Sequence, residues 1–324
     1  MKEFGQIPAD KLELKELLYP FYKIYPQKLW SKYRWWKNSK LRILLPTLNF
    51  QRKTITVVDR LGAPGDALIT ANVIRGIKIE YPNLKINCIT PTPSLLERDP
   101  NIDFLNLKET FYSFDSTYWE LIVRKERQEN IVANNLNRLG ISNYNYKASY
   151  YMTKEEEKWA TKEIADYKKS VIAICTKSKE SVKNWPYENW VKLVKNLEPK
   201  FTLLHLGDER EPIVHNVIRQ AGKLTMRKSA SLLSKAKLFI GPDSLLMHIA
   251  NGLNIPSVII FGGSRPAKCF GYDDNINLIA SPECSPCWIH DGYDTCNYSL
   301  KCLNQISVTT VLQSVDSLLK NNSK

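Results

Sequence analysis

Short apolar runs alternate with longer amphipathic stretches along most of the chain from residue 54 onward. In the first part, the runs at residues 54–58 and 84–89 have the length of strands, and residues 67–80 between them have the spacing of an amphipathic helix. Strands that alternate with helices are typical of βαβ units, in which the strands form a parallel sheet. The pattern therefore predicts an α/β fold.

The second half of the chain repeats this alternation. A helix is predicted at residues 118–139, and a charged helix at 154–167 would bridge the two halves. Beyond it, the pattern predicts strands at 171–175, 201–206, 238–240 and 257–261, and helices at 187–197, 209–220 and 244–251. In doubly wound sheets ligands bind beyond the carboxyl ends of the strands, so the loops at those ends are the candidate functional segments.

The length of 324 residues favours two domains. We predict an N-terminal arm (1–50), a first Rossmann-like domain (51–155), a second (156–306), and a C-terminal helix with a tail (307–324). The composition, 43% apolar and 24% charged, is that of a soluble globular protein. The acidic residues near the start argue against a signal peptide, so we expect a cytoplasmic protein.

The net charge of +13 invites a nucleic-acid interpretation, but its distribution argues against one. Residues 1–53 hold 12 Lys and Arg against 4 Asp and Glu, so this minority of the chain carries most of the excess. Aromatic residues are interleaved with these bases. Residues 15–42 therefore suit peripheral contact with an anionic membrane such as the inner membrane, or packing against the first domain or another subunit.

Three loops carry candidate chemistry, and the first is residues 59–66, DRLGAPGD. Gly62 and Gly65 allow a sharp turn and a close approach of the backbone to a ligand. Asp66 falls at the predicted helix start, where it is either a cap for free backbone N–H groups or a functional carboxylate.

The second and third loops suit an anionic ligand. Residues 176–186, TKSKESVKNWP, offer lysines and hydroxyls to a diphosphate, although a solvated basic loop has the same composition. In the third loop, Asp243 or Ser244 caps a helix whose N-terminus attracts anions. His248 lies one turn into that helix, where a core histidine is the commoner explanation.

Three segments resemble glycosyltransferase family 9, the heptosyltransferases. Residues 241–262 read GPDSLLMHIANGLNIPSVIIFG, residues 57–86 read VVDRLGAPGDALITANVIRGIKIEYPNLKI, and residues 183–193 read KNWPYENWVKL. The resemblance covers about residues 54–311. It implies the GT-B architecture, two Rossmann-like domains whose parallel sheets face each other across a cleft, and an inverting sugar transfer from a nucleotide sugar without a catalytic metal.

The resemblance also implies roles for individual residues. Asp66 takes the place of the general base, and Lys183 and Ser178 fall where the family binds the donor diphosphate. The same phosphates would be surrounded by the signature residues Asp243, Ser244 and His248. Either Asp208 or Glu209 would meet the nucleoside.

The donor favoured by the resemblance is ADP-heptose, and the expected acceptor is a hydroxyl of a surface glycan, a lipid-linked core such as lipopolysaccharide, or a protein. Pro64, Asn72 and Leu245 depart from the family pattern. A UDP- or GDP-hexose transferase, a protein O-heptosyltransferase and a non-catalytic GT-B binding protein therefore stay open as alternatives.

Four cysteines, Cys284, Cys287, Cys296 and Cys302, follow the last predicted strand with the spacing C-x2-C-x8-C-x5-C. Four thiolates suit a tetrahedral zinc or iron ion, and free thiols or a disulfide are the alternatives. Four protein ligands would leave no open position on the metal, so its role would be structural.

Overall fold

The computed structural model describes residues 54–118, 129–288 and 296–321, together with the single positions Leu44 and Leu121. The basic aromatic segment 15–42 lies outside these residues, so its membrane contact stays a prediction. Among the helices of the described residues, none has the length and apolar composition needed to cross a bilayer.

Among the described residues, the first sheet has four parallel strands in the order β3-β2-β1-β4. These strands are β1 (Thr54–Asp59), β2 (Lys85–Ile89), β3 (Phe104–Leu105) and β4 (Ser113–Ser116). Helix α1 (Pro64–Glu80) connects β1 to β2, and helix α2 (Ile131–Asn137) packs on α1. A Cβ at Gly76 would overlap the Leu136 side chain, so the glycine permits this close packing.

Helix α1 begins where its sequence allows a helix to begin. Ala63 is the N-cap in extended conformation, Pro64 opens the first turn, and the Asp66 carboxylate at the third position accepts the Ala63 N–H at 3.3 Å. Asp66 is therefore not the N-cap itself, but it does satisfy a free backbone donor of the helix start. Near the other end, Pro82 follows the C-cap residue Tyr81.

In the part of the chain that the structure describes, the second sheet has six parallel strands in the order β10-β9-β8-β5-β6-β7. They are β5 (Val171–Ile174), β6 (Thr202–His205), β7 (Ile218–Arg219), β8 (Leu238–Pro242), β9 (Ser257–Ile260) and β10 (Ile276–Leu278). Successive residues of β5 join different apolar clusters, Ala173 on one face and Ile174 on the other. Both faces of this sheet are therefore covered, as parallel sheets require.

The helices of the second half are α3 (Lys154–Glu163), α4 (Tyr187–Leu197), α5 (Met226–Leu233), α6 (Leu245–Gly252), α7 (Ala267–Phe270), α8 (Lys301–Asn304) and α9 (Val308–Asn321). Helix α9 packs on α4 and on strands β8 and β9. The predicted C-terminal helix therefore completes one face of the second sheet. The predicted domain boundaries stay predictions, with the two sheets falling inside the two predicted ranges.

The two halves share one apolar cluster, which runs from α1 through the linker to α6. The linker around residues 145–151 is fastened on both sides. Arg75 of α1 donates to the carbonyls of Asn145 and Lys147 and to the Ser149 hydroxyl. From the other side, Asn251 of α6 accepts the Ala148 N–H at 2.9 Å.

A second connection is made by Arg227 of α5. Its guanidinium pairs with Glu156 of α3 through Nε–Oε1 at 2.6 Å and Nη2–Oε2 at 2.7 Å. It also donates to the carbonyls of Ser94, in the first half, and Tyr151, in the linker. One side chain thus joins three segments.

Two predicted helices differ from the structure. The segment predicted as one helix at 118–139 is helical at Leu121 and over Ile131–Asn137, but it is not continuous, because Asn130 caps the helix that starts at Ile131; residues 119–120 and 122–128 lie outside the described part. The prediction at 209–220 fails because Asp208 Oδ1 accepts the Arg210 N–H in a turn and Pro212 cannot donate to a helix. That segment is irregular and ends in β7.

Candidate active site

The three loops singled out from the sequence meet at the junction of the two halves. Helix α1 contacts helix α6, and the two helices come close together at Gly65. A Cβ at Gly65 would lie 3.0 Å from His248 Cδ2 and 3.8 Å from the Leu245 Cα. The beginning of the Asp66 helix is therefore pressed against the beginning of the His248 helix.

The loop after β1 is shaped by Asp59. One carboxylate oxygen, Oδ1, accepts the N–H groups of Leu61 and Gly62, each at 3.1 Å, and the other accepts the Thr90 hydroxyl at 3.0 Å. Gly62 has a φ of 78°, which a side chain would disfavour. These contacts fix the turn that positions Asp66 at the junction.

The Asp66 carboxyl group is partly protonated near neutral pH. Burial, and to a smaller extent the nearby Asp59 carboxylate, raise its pKa to about 7. Arg265 and Lys183 act in the opposite direction, so both cations lie within electrostatic range of Asp66. A carboxylate with this pKa, on a residue that keeps partial solvent contact, is suited to take up a proton near neutral pH.

Lys183 lies across the junction in a short 3-10 turn, Ser181–Lys183. Its Nζ is 2.7 Å from Asp243 Oδ2 and 3.5 Å from Glu180 Oε2. Burial opposes ionisation of Asp243, but Lys183 and Arg265 hold its pKa below the usual range. Asp243 therefore remains a carboxylate, and the pair brings together the second and third loops.

Tryptophans anchor the loop that carries Lys183. The buried Trp185 donates from Nε1 to the Ile306 carbonyl at 2.9 Å, and its ring meets Trp190 edge to face with 5.3 Å between centroids. Earlier in the loop, the Ser178 N–H donates to Asn184 Oδ1 at 2.6 Å. The Lys-x-Trp-Pro element thus holds its lysine in place by burying the aromatic residues that follow.

His248 and Ser244 occupy helix α6. Ser244 is the N-cap, with extended backbone and no capping bond from its side chain. His248 Nδ1 is 2.7 Å from the Tyr272 hydroxyl, and burial lowers the pKa of His248 to about 4. His248 is therefore neutral at physiological pH and adds no positive charge to the junction.

Asp208 and Glu209 are both exposed, and Asp208 pairs with Arg210, 3.0 Å from Nε to Oδ2. The contact of either residue with a nucleoside stays a prediction. The buried carboxylate of this segment belongs to Glu211, which sequence reasoning missed. Gly207 signals it in retrospect, because a Cβ there would overlap the Glu211 carboxylate.

The Glu211 carboxylate ties two strands of the second sheet together at their carboxyl ends. Its Oε2 accepts the Thr176 N–H at 2.8 Å and the Thr176 hydroxyl at 2.5 Å, and it lies 3.0 Å from His205 Nε2. Thr176 begins the second loop, so Glu211 fixes the start of the segment that carries Ser178 and Lys183.

The four cysteines are not arranged as the predicted metal site. Within the described ranges, which include all four, there is no group of three or more His, Cys, Asp or Glu side chains that could hold a metal ion. Cys302 is buried in α8 beside Gly263, while Cys284, Cys287 and Cys296 are half-buried. The residues as placed therefore do not fit a zinc or iron ion.

The segment that carries Cys284 and Cys287 is held by other contacts. The Ser285 hydroxyl and the Cys287 N–H both donate to the Gly263 carbonyl, at 3.0 and 3.2 Å, and the Trp288 N–H donates to the Ser264 carbonyl at 2.7 Å. Trp288 is only 3% exposed. A buried tryptophan therefore supplies apolar anchoring for this segment.

Comparison with known proteins bears out the predicted family and fold. The sequence model of glycosyltransferase family 9 (heptosyltransferase) matches residues 113–291, more than half of the chain. This chain belongs to glycosyltransferase family 9. The match begins after α1, so the placement of Asp66 rests on the geometry described above.

Three relatives illustrate the likeness. Lipooligosaccharide heptosyltransferase 2 of Haemophilus ducreyi is 27% identical in an alignment of 127 positions that covers 34% of this chain and 36% of that protein. The match therefore covers little more than a third of the relative's length. The E. coli ADP-heptose lps heptosyltransferase II has a similar structure, with a TM-score of 0.58 and 14% identity, covering 83% of this chain and 100% of the other.

The third is the iron-containing dodecameric glycosyltransferase TibC from enterotoxigenic E. coli. Its TM-score is 0.65 at 16% identity, and the alignment covers 82% of this chain and 76% of TibC. These similarities confirm the predicted α/β fold of two parallel sheets in the GT-B arrangement.

Proposed function

We propose that this protein is an inverting glycosyltransferase that takes a sugar from a nucleoside diphosphate. The observation that carries the proposal is the junction itself: a carboxylate, Asp66, with a pKa near neutrality lies within electrostatic range of the buried Lys183, which is paired with Asp243. A base and a cationic anion site contributed by two different halves are what a two-substrate transfer requires.

The chemistry follows from these groups. The acceptor oxygen attacks the anomeric carbon and forms the new bond, while the bond from that carbon to the diphosphate oxygen breaks and its electron pair leaves with the nucleoside diphosphate. Asp66 accepts the proton of the acceptor hydroxyl. Lys183 and the N-terminus of α6, with Ser244 at the cap, stabilise the charge on the leaving group.

We propose ADP-heptose as the donor and a hydroxyl of a cell-surface glycan or lipopolysaccharide core as the acceptor. Support comes from the relatives, which are described as lipooligosaccharide and ADP-heptose lps heptosyltransferases. UDP- and GDP-hexoses, and a protein hydroxyl as acceptor, are the alternatives. An acceptor in a membrane lipid would place the protein at the cytoplasmic face of the inner membrane, with residues 15–42 as the proposed contact.

A donor panel with purified protein tests the proposal. ADP-heptose, UDP-hexoses and GDP-hexoses are offered with lipopolysaccharide cores of defined length. Asp66→Asn should keep donor binding and lose roughly 100- to 10,000-fold in turnover, the usual contribution of a general base. Lys183→Ala should weaken donor binding and turnover together.

The exposed residues Asp316 and Lys195 provide matched controls, because Asp316→Asn and Lys195→Ala make the same chemical changes away from the junction. Turnover should persist in EDTA, since the proposed charge stabilisation uses protein groups. Near wild-type turnover by Asp66→Asn would remove the base assignment. Salt-sensitive nucleic-acid binding without turnover of any donor would favour the non-catalytic alternative.

A further inference from the structure

Arg265 is a buried arginine at the junction that neither the sequence patterns nor the proposed chemistry uses. It follows β9 in the segment FGGSRP and is 6% exposed. Its guanidinium lies 5.6 Å from the ring centroids of both Tyr118 and Phe270. Its Nη2 donates to Glu180 Oε1 at 2.8 Å. The two rings and the carboxylate hold the charged group in one orientation.

Glu180 joins this arginine to the site lysine. While Oε1 accepts from Arg265, Oε2 lies 3.5 Å from Lys183 Nζ. Two cations from different loops therefore share one carboxylate. Of the charged groups in this cluster, Glu180 is the more accessible, with 21% of its side chain exposed against 6% for Arg265 and 11% for Lys183.

The charges at the junction show why a second cation is useful there. The Lys183 ammonium is already compensated by Asp243 at 2.7 Å. A nucleoside diphosphate sugar is a dianion, and more negative charge develops on its terminal phosphate as the sugar leaves. Because Asp243 already neutralises Lys183, this lysine alone does not balance the charge of the diphosphate. A planar guanidinium can bind two phosphate oxygens at once.

We propose that Arg265 binds the donor diphosphate together with Lys183, and that Glu180 is the internal counter-ion that the diphosphate replaces. This inference rests on the proposed function, because it assigns a further ligand to the same donor. Arg265 also influences Asp66 and Asp243 electrostatically, so it lies within electrostatic range of both. The aromatic contacts keep the guanidinium in position when Glu180 moves away.

Binding measurements separate this role from a merely structural one. The wild-type protein is titrated with ADP, GDP and UDP and with the matching nucleosides, using ligand-observed NMR at fixed ionic strength. With the diphosphate that binds most tightly, Arg265→Met should weaken binding roughly 10- to 100-fold, the range for one charge-assisted hydrogen bond. Binding of the nucleoside should stay within about twofold, since the nucleoside carries no phosphate.

Further variants complete the test. Arg265→Lys should recover part of the lost diphosphate affinity, because lysine keeps the positive charge but cannot bind two phosphate oxygens at once. Glu180→Gln should tighten diphosphate binding several-fold, because the competing charge is gone. Arg98→Met removes the same charge from an exposed position and should leave both ligands unaffected.

Three results would overturn the inference: wild-type diphosphate affinity in Arg265→Met, equal losses of diphosphate and nucleoside in that variant, or weaker diphosphate binding by Glu180→Gln. Failure of the wild-type protein to bind any nucleoside diphosphate is a different result. It would remove the proposed function first and this inference with it.

Discussion

Replacing Asp66 with asparagine should make the folded protein more stable while slowing turnover. Burial raises the Asp66 pKa from 3.8 to about 7, which means that the folded state holds the ionised carboxylate at a free-energy cost. A difference of about three pKa units corresponds to about 4 kcal/mol, at 1.36 kcal/mol per unit. Asp66 keeps partial solvent contact, and water screens part of this cost, so we expect about 2–4 kcal/mol.

The pH dependence of this gain is the sharper part of the prediction. Between pH 3.8 and 7 the folded wild-type protein retains a proton on Asp66 that the unfolded chain has released, so its stability falls as the pH rises. Asparagine does not titrate. The advantage of Asp66→Asn should therefore be near zero at about pH 4, grow up to about pH 7 and stay constant above it.

Urea unfolding of the wild type, Asp66→Asn and the exposed control Asp316→Asn, at pH 4.5 and pH 8, measures this difference. Asp316→Asn should follow the wild type at both values. A stability difference that is the same at both pH values, or below about 0.5 kcal/mol at pH 8, would refute the conclusion that burial raises the Asp66 pKa. The same ionisation should appear as an acid limb near pH 7 in kcat/KM.

Three other substitutions test the contacts that hold the helices and loops around the site. Gly65→Ala should lower kcat/KM at least tenfold, because its Cβ would press on His248; unaltered kinetics would contradict the tight approach of the two helices. Arg227→Met should lower the free energy of unfolding by about 2 kcal/mol in urea, and adding Glu156→Gln should cost little more if the two act as a pair. Glu211→Gln should raise the donor KM without moving the acid limb, and an unchanged KM would show that the Thr176 loop does not depend on this carboxylate.

Helices and strands with a plain apolar pattern were predictable. The helix Tyr187–Leu197 was predicted with both of its ends, and strands β1, β5 and β8 were predicted within one or two residues. The helix prediction at residues 209–220 failed because other contacts override the local pattern there. Its charged residues suit a helix, but Asp208 and Pro212 favour a turn, and Glu211 points inward to accept from Thr176 in the loop after β5.

Contacts between distant parts of the sequence also limited what could be predicted about the site. Sequence patterns identified the loops of Asp66, Lys183 and Asp243, because each follows a recognisable strand. They did not identify Arg265 or Glu180, whose importance depends on an ion pair between residues 85 positions apart. Nor could spacing alone show that the cysteines as placed form no group of three or more metal ligands among the described residues, since Trp288 and backbone bonds to residues 263 and 264 determine the path of that segment.

The doubly fastened linker also limits how the two halves can be recombined. Its residues bond alternately to Arg75 on one side and to Asn251 and Arg227 on the other. A chimera that exchanges a whole domain with a relative, wherever the junction falls within residues 145–151, would separate some of these donors from their acceptors. Exchanging single loops, such as residues 176–186, leaves the linker intact and is the sounder route to altered donor specificity.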